Sequence, residues 1–182
     1  MRVMGMDPSV CSFGVAFRMA NGKLWAARIS PPGNMRGVER LVFIENALVG
    51  YISKYKPDIV AYENYAFSRA RAGSRAITGL AELGGVVKRL LYMQGIGILS
   101  VPPTSLKLFA TGKGRAEKDE VALYIQREEG IMFATSDQND AAVLLKVGEA
   151  KVNARLLPRN RAHYQSKAVA GCDWEFAIGF NE

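Results

Sequence analysis

Val3-Met4-Gly5-Met6-Asp7-Pro8-Ser9, with Ser12-Phe13-Gly14-Val15-Ala16-Phe17 behind it, is the stretch on which the fold turns. An apolar run stops on one acid, breaks at Pro8-Ser9 and resumes, which reads as strand, tight connection, strand. A carboxylate at the lip of a buried strand costs several kcal/mol, or shifts its pKa, unless something compensates its charge. Such a residue either caps a turn or holds a cation. Asp-Pro alone is common turn chemistry, so the choice depends on whether the chain brings up more carboxylates.

Working outward, Asn21-Gly22 is a hairpin signal, and residues 23–29 are a plausible third strand. Three antiparallel strands therefore open the chain. Ser30-Pro31-Pro32-Gly33 is a loop, and over 37–54 the apolar positions Leu41, Ile44, Leu48, Val49 and Ile52 recur at helical spacing. That helix ends near Pro57. Asp58-Ile59-Val60-Ala61-Tyr62 follows as a fourth strand and finishes on Glu63, a second carboxylate at a strand end. Residues 96–101 read as a fifth strand, stopped by Pro102-Pro103, after which Thr104 or Ser105 can cap a short helix over 105–110 that carries Lys107. A helix over 117–128 carries Lys118.

Thr135-Ser136-Asp137-Gln138-Asn139-Asp140 then leads into the apolar helical run 141–147. With Ser136 as N-cap, Asp137 and Asp140 fall in the first turn, three apart and on one face. Acids in a first turn are also ordinary capping chemistry. Taken with Asp7 and Glu63, however, they form a set. If strands one and four lie side by side and this helix crosses them, four carboxylates meet, and oxygen-only clusters of this kind bind Mg²⁺ or Mn²⁺. Two such ions about 4 Å apart serve phosphodiester cleavage without any histidine. His163 is the only histidine in the chain.

Composition narrows the partners. With 182 residues, 49% of them hydrophobic, the chain suffices for one well-filled core. It contains no run of membrane-span length and no signal-peptide pattern, so a soluble cytoplasmic protein without membrane contact is expected. Cys11 and Cys172 lack metal-ligand spacing. A net charge of +7 makes nucleic acid the leading class of partner. Tyr65, Phe67, Arg69, Arg71 and Arg75 interleave rings with guanidinium groups, as a nucleic-acid surface does, although a solvated helix start with two core aromatics fits equally well. The helical pattern over 76–93 contains Gly79, Gly84 and Gly85, each costing about 1 kcal/mol relative to Ala. Three such glycines suggest close approach of another backbone, from the sheet or from a partner subunit. Thr111-Gly112-Lys113-Gly114-Arg115 is a basic glycine-bearing loop; it does not match a P-loop, and contact of Lys113 or the backbone with a DNA phosphate suits it better.

At this level the sequence resembles the RuvC-type Holliday-junction resolvases of the ribonuclease H-like superfamily. The resemblance runs from residue 1 to about 149. It rests on Gly5-Met6-Asp7-Pro8-Ser9, on Tyr62-Glu63, on Lys107 and Gly114-Arg115-Ala116-Glu117-Lys118, and on Asp137-Gln138-Asn139-Asp140-Ala141. It implies an α/β three-layer fold with a five-stranded mixed sheet, its first three strands antiparallel, flanked by helices. It also implies that Asp7, Glu63, Asp137 and Asp140 are the metal-binding catalytic tetrad for two Mg²⁺ ions, with Mn²⁺ able to substitute. Lys107 and Lys118 then lie near the scissile phosphate. Tyr65 or Phe67 would probe the junction centre, an alternative the residues leave open. The family acts as a homodimer on four-way junctions, and the 76–93 helix fits its dimer contact.

Pro8-Ser9 departs from the more usual Pro-Gly. Residues 151–182 have no recognised counterpart, and a divergent tail suits a viral relative. They form a basic extension with Lys151, Arg155, Arg159, Arg161, His163 and Lys167, then turn apolar at Trp174-Glu175-Phe176-Ala177-Ile178. The extension is either a DNA clamp or a solvated surface ending in a docking segment on the 1–150 nuclease domain. The expected activity is metal-dependent, structure-selective cleavage of four-way junctions. The alternatives are a flap, fork or RNA–DNA hybrid nuclease of the same fold, a junction-binding protein without cleavage, and a sugar-kinase or actin-type ATPase. Four retained carboxylates argue against the second. The third needs two lobes and a second phosphate loop, for which the chain is too short.

Overall fold

In β1 (Val3–Asp7), Met4 and Met6 enter one apolar cluster and Val3 enters another, so successive side chains leave opposite faces of a strand buried on both sides. The computed structural model describes residues 1–64, 74–158 and 163–177, with the backbone alone for 74–76. β2 (Phe13–Arg18) and β3 (Leu24–Ile29) continue antiparallel from β1, with Gly22 in the left-handed region at the turn. β4 (Ile59–Glu63) and β5 (Gly97–Val101) add in parallel on the other side, and β6 (Asp173–Phe176) closes that edge antiparallel. The order is β3-β2-β1-β4-β5-β6.

α1 (Gly37–Tyr55) and α2 (Ser74–Met93) cover one face of the sheet. Ile44, Leu48 and Ile52 of α1, with Leu83, Val87 and Leu91 of α2, pack on Met4, Met6, Val15 and Tyr62. The other face carries α3 (Pro103–Thr111), α4 (Lys118–Glu129), α5 (Ser136–Val152) and α6 (Tyr164–Ala170). The result is three layers, helix, sheet and helix, with an apolar core on each side of the sheet. α5 is buried nearly all round, because it lies against the strands with Ala141 and Leu145 and against α3 and α4 with its other flank.

The sheet has six strands where the sequence suggested five. The additional strand lies in the extension, where Trp174 and Phe176 alternate with exposed Asp173 and Glu175. A four-residue run becomes a strand here because β5 offers it an edge of unpaired backbone groups. Three local assignments also change. α3 has Pro103 at its first position and no side-chain cap, so neither Thr104 nor Ser105 caps it. α4 is shifted one residue along from the expected 117–128, because Glu117 is its N-cap, in a reciprocal box with Glu120. α5 starts one residue earlier than expected: Thr135 is its N-cap and accepts from the Gln138 backbone N–H, which leaves Asp137 in the first turn and Asp140 in the second.

Among the described residues, nothing brings another backbone close to the interior glycines of α2. A methyl on Gly84 would meet only the Tyr62 hydroxyl at 3.6 Å, and one on Gly85 would meet nothing. The tight approaches are at Gly5, Gly14 and Gly148, beneath or on α5. A Cβ on Gly5 would lie 2.0 Å from the Ala141 carbonyl oxygen, and one on Gly14 would lie 2.1 Å from that of Asp137.

Candidate active site

Strand register builds the site. Met6 pairs with Tyr62 in the parallel β1–β4 ladder, so the next residues, Asp7 and Glu63, end adjacent strands side by side. Val3 and Gly5 on β1, and Ile59 and Ala61 on β4, face α5; by the period of two, Asp7 and Glu63 face it as well. Asp7 also pairs with Gly14, the residue whose missing side chain lets the Asp137 backbone settle on the sheet. The start of α5 is thereby pressed against the C-terminal end of β1. Asp137 and Asp140 arrive there as part of the helix.

Asp7 is buried, and Glu63 and both α5 acids are half-buried. The crowding registers on Asp140, whose carboxyl is pushed up to about 7. Burial is the main cause; the charge of Asp7 adds to it, Lys118 works against it, and Asp137 and Lys107 contribute smaller effects of opposite sign. Asp137 is oriented by Ser12, whose hydroxyl donates to Oδ2 at 2.6 Å. Lys118 donates from Nζ to the Ser136 hydroxyl at 3.1 Å, which places its ammonium at the mouth of α5. Thr135, Gln138 and Asn139 stiffen that mouth: Asn139 Nδ2 donates to the Thr135 carbonyl at 3.0 Å, and Gln138 Nε2 to that of Ala26 at 3.2 Å.

The structure therefore brings Asp7, Glu63, Asp137 and Asp140 to one end of the sheet, with Lys107 and Lys118 close enough for their charge to be felt at Asp140. Lys113 lies on the exposed α3–α4 connection in an ion pair with Glu120 at 2.8 Å, a contact of small energy at such exposure. Arg115 is exposed on the same connection. Tyr65, Phe67, Arg69 and Arg71 lie outside the described residues, as do Arg159, Arg161 and Ile178 of the extension. Arg75 lies in the first turn of α2, where only the backbone is described.

Ser12, Gly5 and Gly14 escaped the sequence reading. A glycine inside a strand pattern does signal close backbone approach, so Gly5 carried a usable sign. Ser12 carried none, because its partner is 125 residues away.

Among the described residues, no three acidic, histidine or cysteine side chains lie close enough to hold an ion as they stand. The donors are nonetheless all oxygen, and Asp140 is held in a desolvated position within reach of the charge on Asp7. Both features suit a hard divalent cation, which would draw the carboxylates together.

The family model for crossover junction endodeoxyribonuclease RuvC matches residues 3–147. The crossover junction endodeoxyribonuclease RuvC of Mycobacterium avium is 31% identical over 132 residues, covering 70% of this chain and 69% of that protein. The protein of the same description from Frankia casuarinae is 29% identical over 151 residues, covering 79% and 86%. Among solved structures, T. thermophilus RuvC in complex with Holliday junction substrate aligns with a TM-score of 0.64 at 22% identity, over 79% of this chain and 92% of that one. The yeast mitochondrial Holliday junction resolvase aligns with a TM-score of 0.56 at 15% identity, over 92% and 82%. The two structural likenesses establish the fold. The sequence matches go further: this chain belongs to the RuvC family of crossover junction endodeoxyribonucleases.

Proposed function

We propose that the protein is a metal-dependent, structure-selective DNA endonuclease that resolves four-way junctions as a homodimer, by paired symmetric nicks. One observation carries this reading: four carboxylates from β1, β4 and α5 gather at one end of the sheet beside Lys107 and Lys118, in a chain of the RuvC family. Asp7, Glu63, Asp137 and Asp140 would hold two Mg²⁺ ions, or Mn²⁺ in their place. Bound divalent cations supply activation of water and stabilisation of the leaving oxygen in phosphodiester hydrolysis. Ser12 holds Asp137 in place by donating to one of its carboxylate oxygens. Lys118 and Lys107 offset negative charge developing on the phosphate. Lys113, Arg115 and the Tyr65 to Arg75 segment would hold the DNA arms, with Tyr65 or Phe67 at the junction centre.

The dimer contact is assigned to α2, which exposes Ile77, Tyr92 and Met93 and has open space over Gly85. No described helix is long and apolar enough to cross a membrane, in keeping with action on cytoplasmic DNA.

The deciding experiment offers an immobile four-way junction, a fork, a flap and a duplex of one sequence, each with and without Mg²⁺. Symmetric paired nicks in the junction alone, dependent on metal, are expected. Equal cutting of forks and flaps would make the protein a general branch nuclease, and tight binding without cutting would make it a junction-binding protein.

A further inference from the structure

One transverse row of residues crosses the end of the sheet on the face toward α5. Glu63 and Asp7 end adjacent strands, Asp7 pairs with Gly14, and Gly14 pairs with Arg28. Arg28 shares the face of Leu24 and Ala26, both in the cluster packed against α5. Those two are buried because α5 covers them, and Gln138 reaches the Ala26 carbonyl at 3.2 Å. The cover stops there, and Arg28 is exposed. Among the described residues, no hydrogen bond or ion pair engages its guanidinium.

We infer that Arg28 is a substrate-binding residue that holds a backbone phosphate of the strand being cut, on the β3 flank of the acidic cluster. This rests on the proposed reading of the site as a DNA nuclease. Two strand spacings place the Arg28 backbone about 10 Å from that of Asp7. One strand of a duplex, rising about 3.4 Å per nucleotide, covers that distance in roughly three nucleotides. A strand whose phosphate sits over Asp7 and Asp140 and that runs along this row therefore passes Arg28. Arginine suits this place: its fork pairs two phosphate oxygens at once, and its charge is permanent. An edge strand also gives it a rigid base, since β3 pairs with β2 along its whole length.

The test is made in an Asp7→Asn background, so that junction binding is read without cutting. Arg28→Ala is expected to weaken junction binding about tenfold and to flatten the log–log salt dependence by about 0.9 for each protomer bound. Arg28→Lys should restore most of the slope but less of the affinity. In the cutting enzyme, Arg28→Ala should raise KM more than it lowers kcat, and the melting temperature should stay unchanged because, among the described residues, no hydrogen bond or ion pair engages the side chain. An unchanged affinity and slope would overturn the inference while leaving the nuclease reading intact, provided the parent binds and the wild type cuts. A lowered melting temperature in step with binding would overturn it too, by making the residue structural. Failure of the parent protein itself to prefer junctions over duplex would instead remove the reading on which the inference stands.

Discussion

Asp140 shows most directly what the site demands of a single residue. It sits half-buried beside Asp7 and Asp137, so its charged form is penalised by desolvation and by like charge. Asp140→Asn should accordingly raise the melting temperature of the metal-free protein at pH 8 while abolishing both junction cleavage and the thermal stabilisation that Mg²⁺ brings to the wild type. A variant that is less stable without metal would mean the carboxylate is there for structure. Asp7→Asn should likewise abolish cleavage but leave junction binding intact, since binding rests mainly on phosphates and shape; normal cutting by that variant would dismiss the assigned tetrad. The four acids stood out in the sequence because Asp7 and Glu63 end apolar strand runs, where a charge is out of place, and Asp137 and Asp140 lie three apart at the start of an apolar helix. Ser12 did not, since a serine in a loop has many ordinary uses and only proximity to Asp137 distinguishes this one.

At the scale of elements, the seating of α5 on β1 governs the geometry. Gly5→Ala would drive a methyl to within 2.0 Å of the Ala141 carbonyl oxygen, against backbone that has no free side chain to move. Denaturant unfolding should show a loss of about 3 kcal/mol, and cleavage should fall further than stability alone explains because Asp137 and Asp140 ride on the displaced helix. The opposite end of α5 is tied by charge. Arg18, at the end of β2, bonds Glu149 of α5 at 2.7 Å and Glu129 of α4 at 3.2 Å, and Lys146 reaches Glu129 at 2.6 Å. Burial tends to raise the Glu129 carboxyl, but its hydrogen bonds with Arg18 and Lys146 outweigh that and hold it below its ordinary value. A depressed folded pKa means that the stabilisation is present above the unfolded value of 4.5 and is lost as pH falls through the folded one. Glu129→Gln should therefore cost about 2 kcal/mol at pH 7, and its melting curve should converge with that of the wild type on acidification. Parallel offsets down to pH 3 would show that the ion cluster is not responsible. Helix periodicity and turn residues revealed most of these elements in the sequence. β6 was hidden because a strand of four residues is defined by the edge it completes, and the cap of α5 was displaced by one residue because Thr135 and Ser136 both carry a hydroxyl able to cap.

For the whole molecule, the proposed dimer sets the outcome of the reaction: two sites held by one scaffold give paired nicks. Ile77 lies exposed on α2, and Ile77→Asp should shift the solution mass from dimer to monomer and turn paired nicks into isolated ones, as sedimentation and product analysis on a four-way junction would show. A monodisperse dimer for that variant would move the contact away from α2. The sequence alone determined the class of fold, picked out the four carboxylates proposed as metal ligands and gave the net charge of +7, because periodicity, strand-end acids and net charge are local or additive properties. Only the tertiary structure decided that Asp7 and Glu63 are neighbours, that Ser12 orients Asp137, that α5 meets the sheet over Gly5 and Gly14, and that Arg28 stands in line with Asp7. Each of those facts depends on strand register and on the distance between backbones far apart in the chain, and no local pattern of residues encodes either.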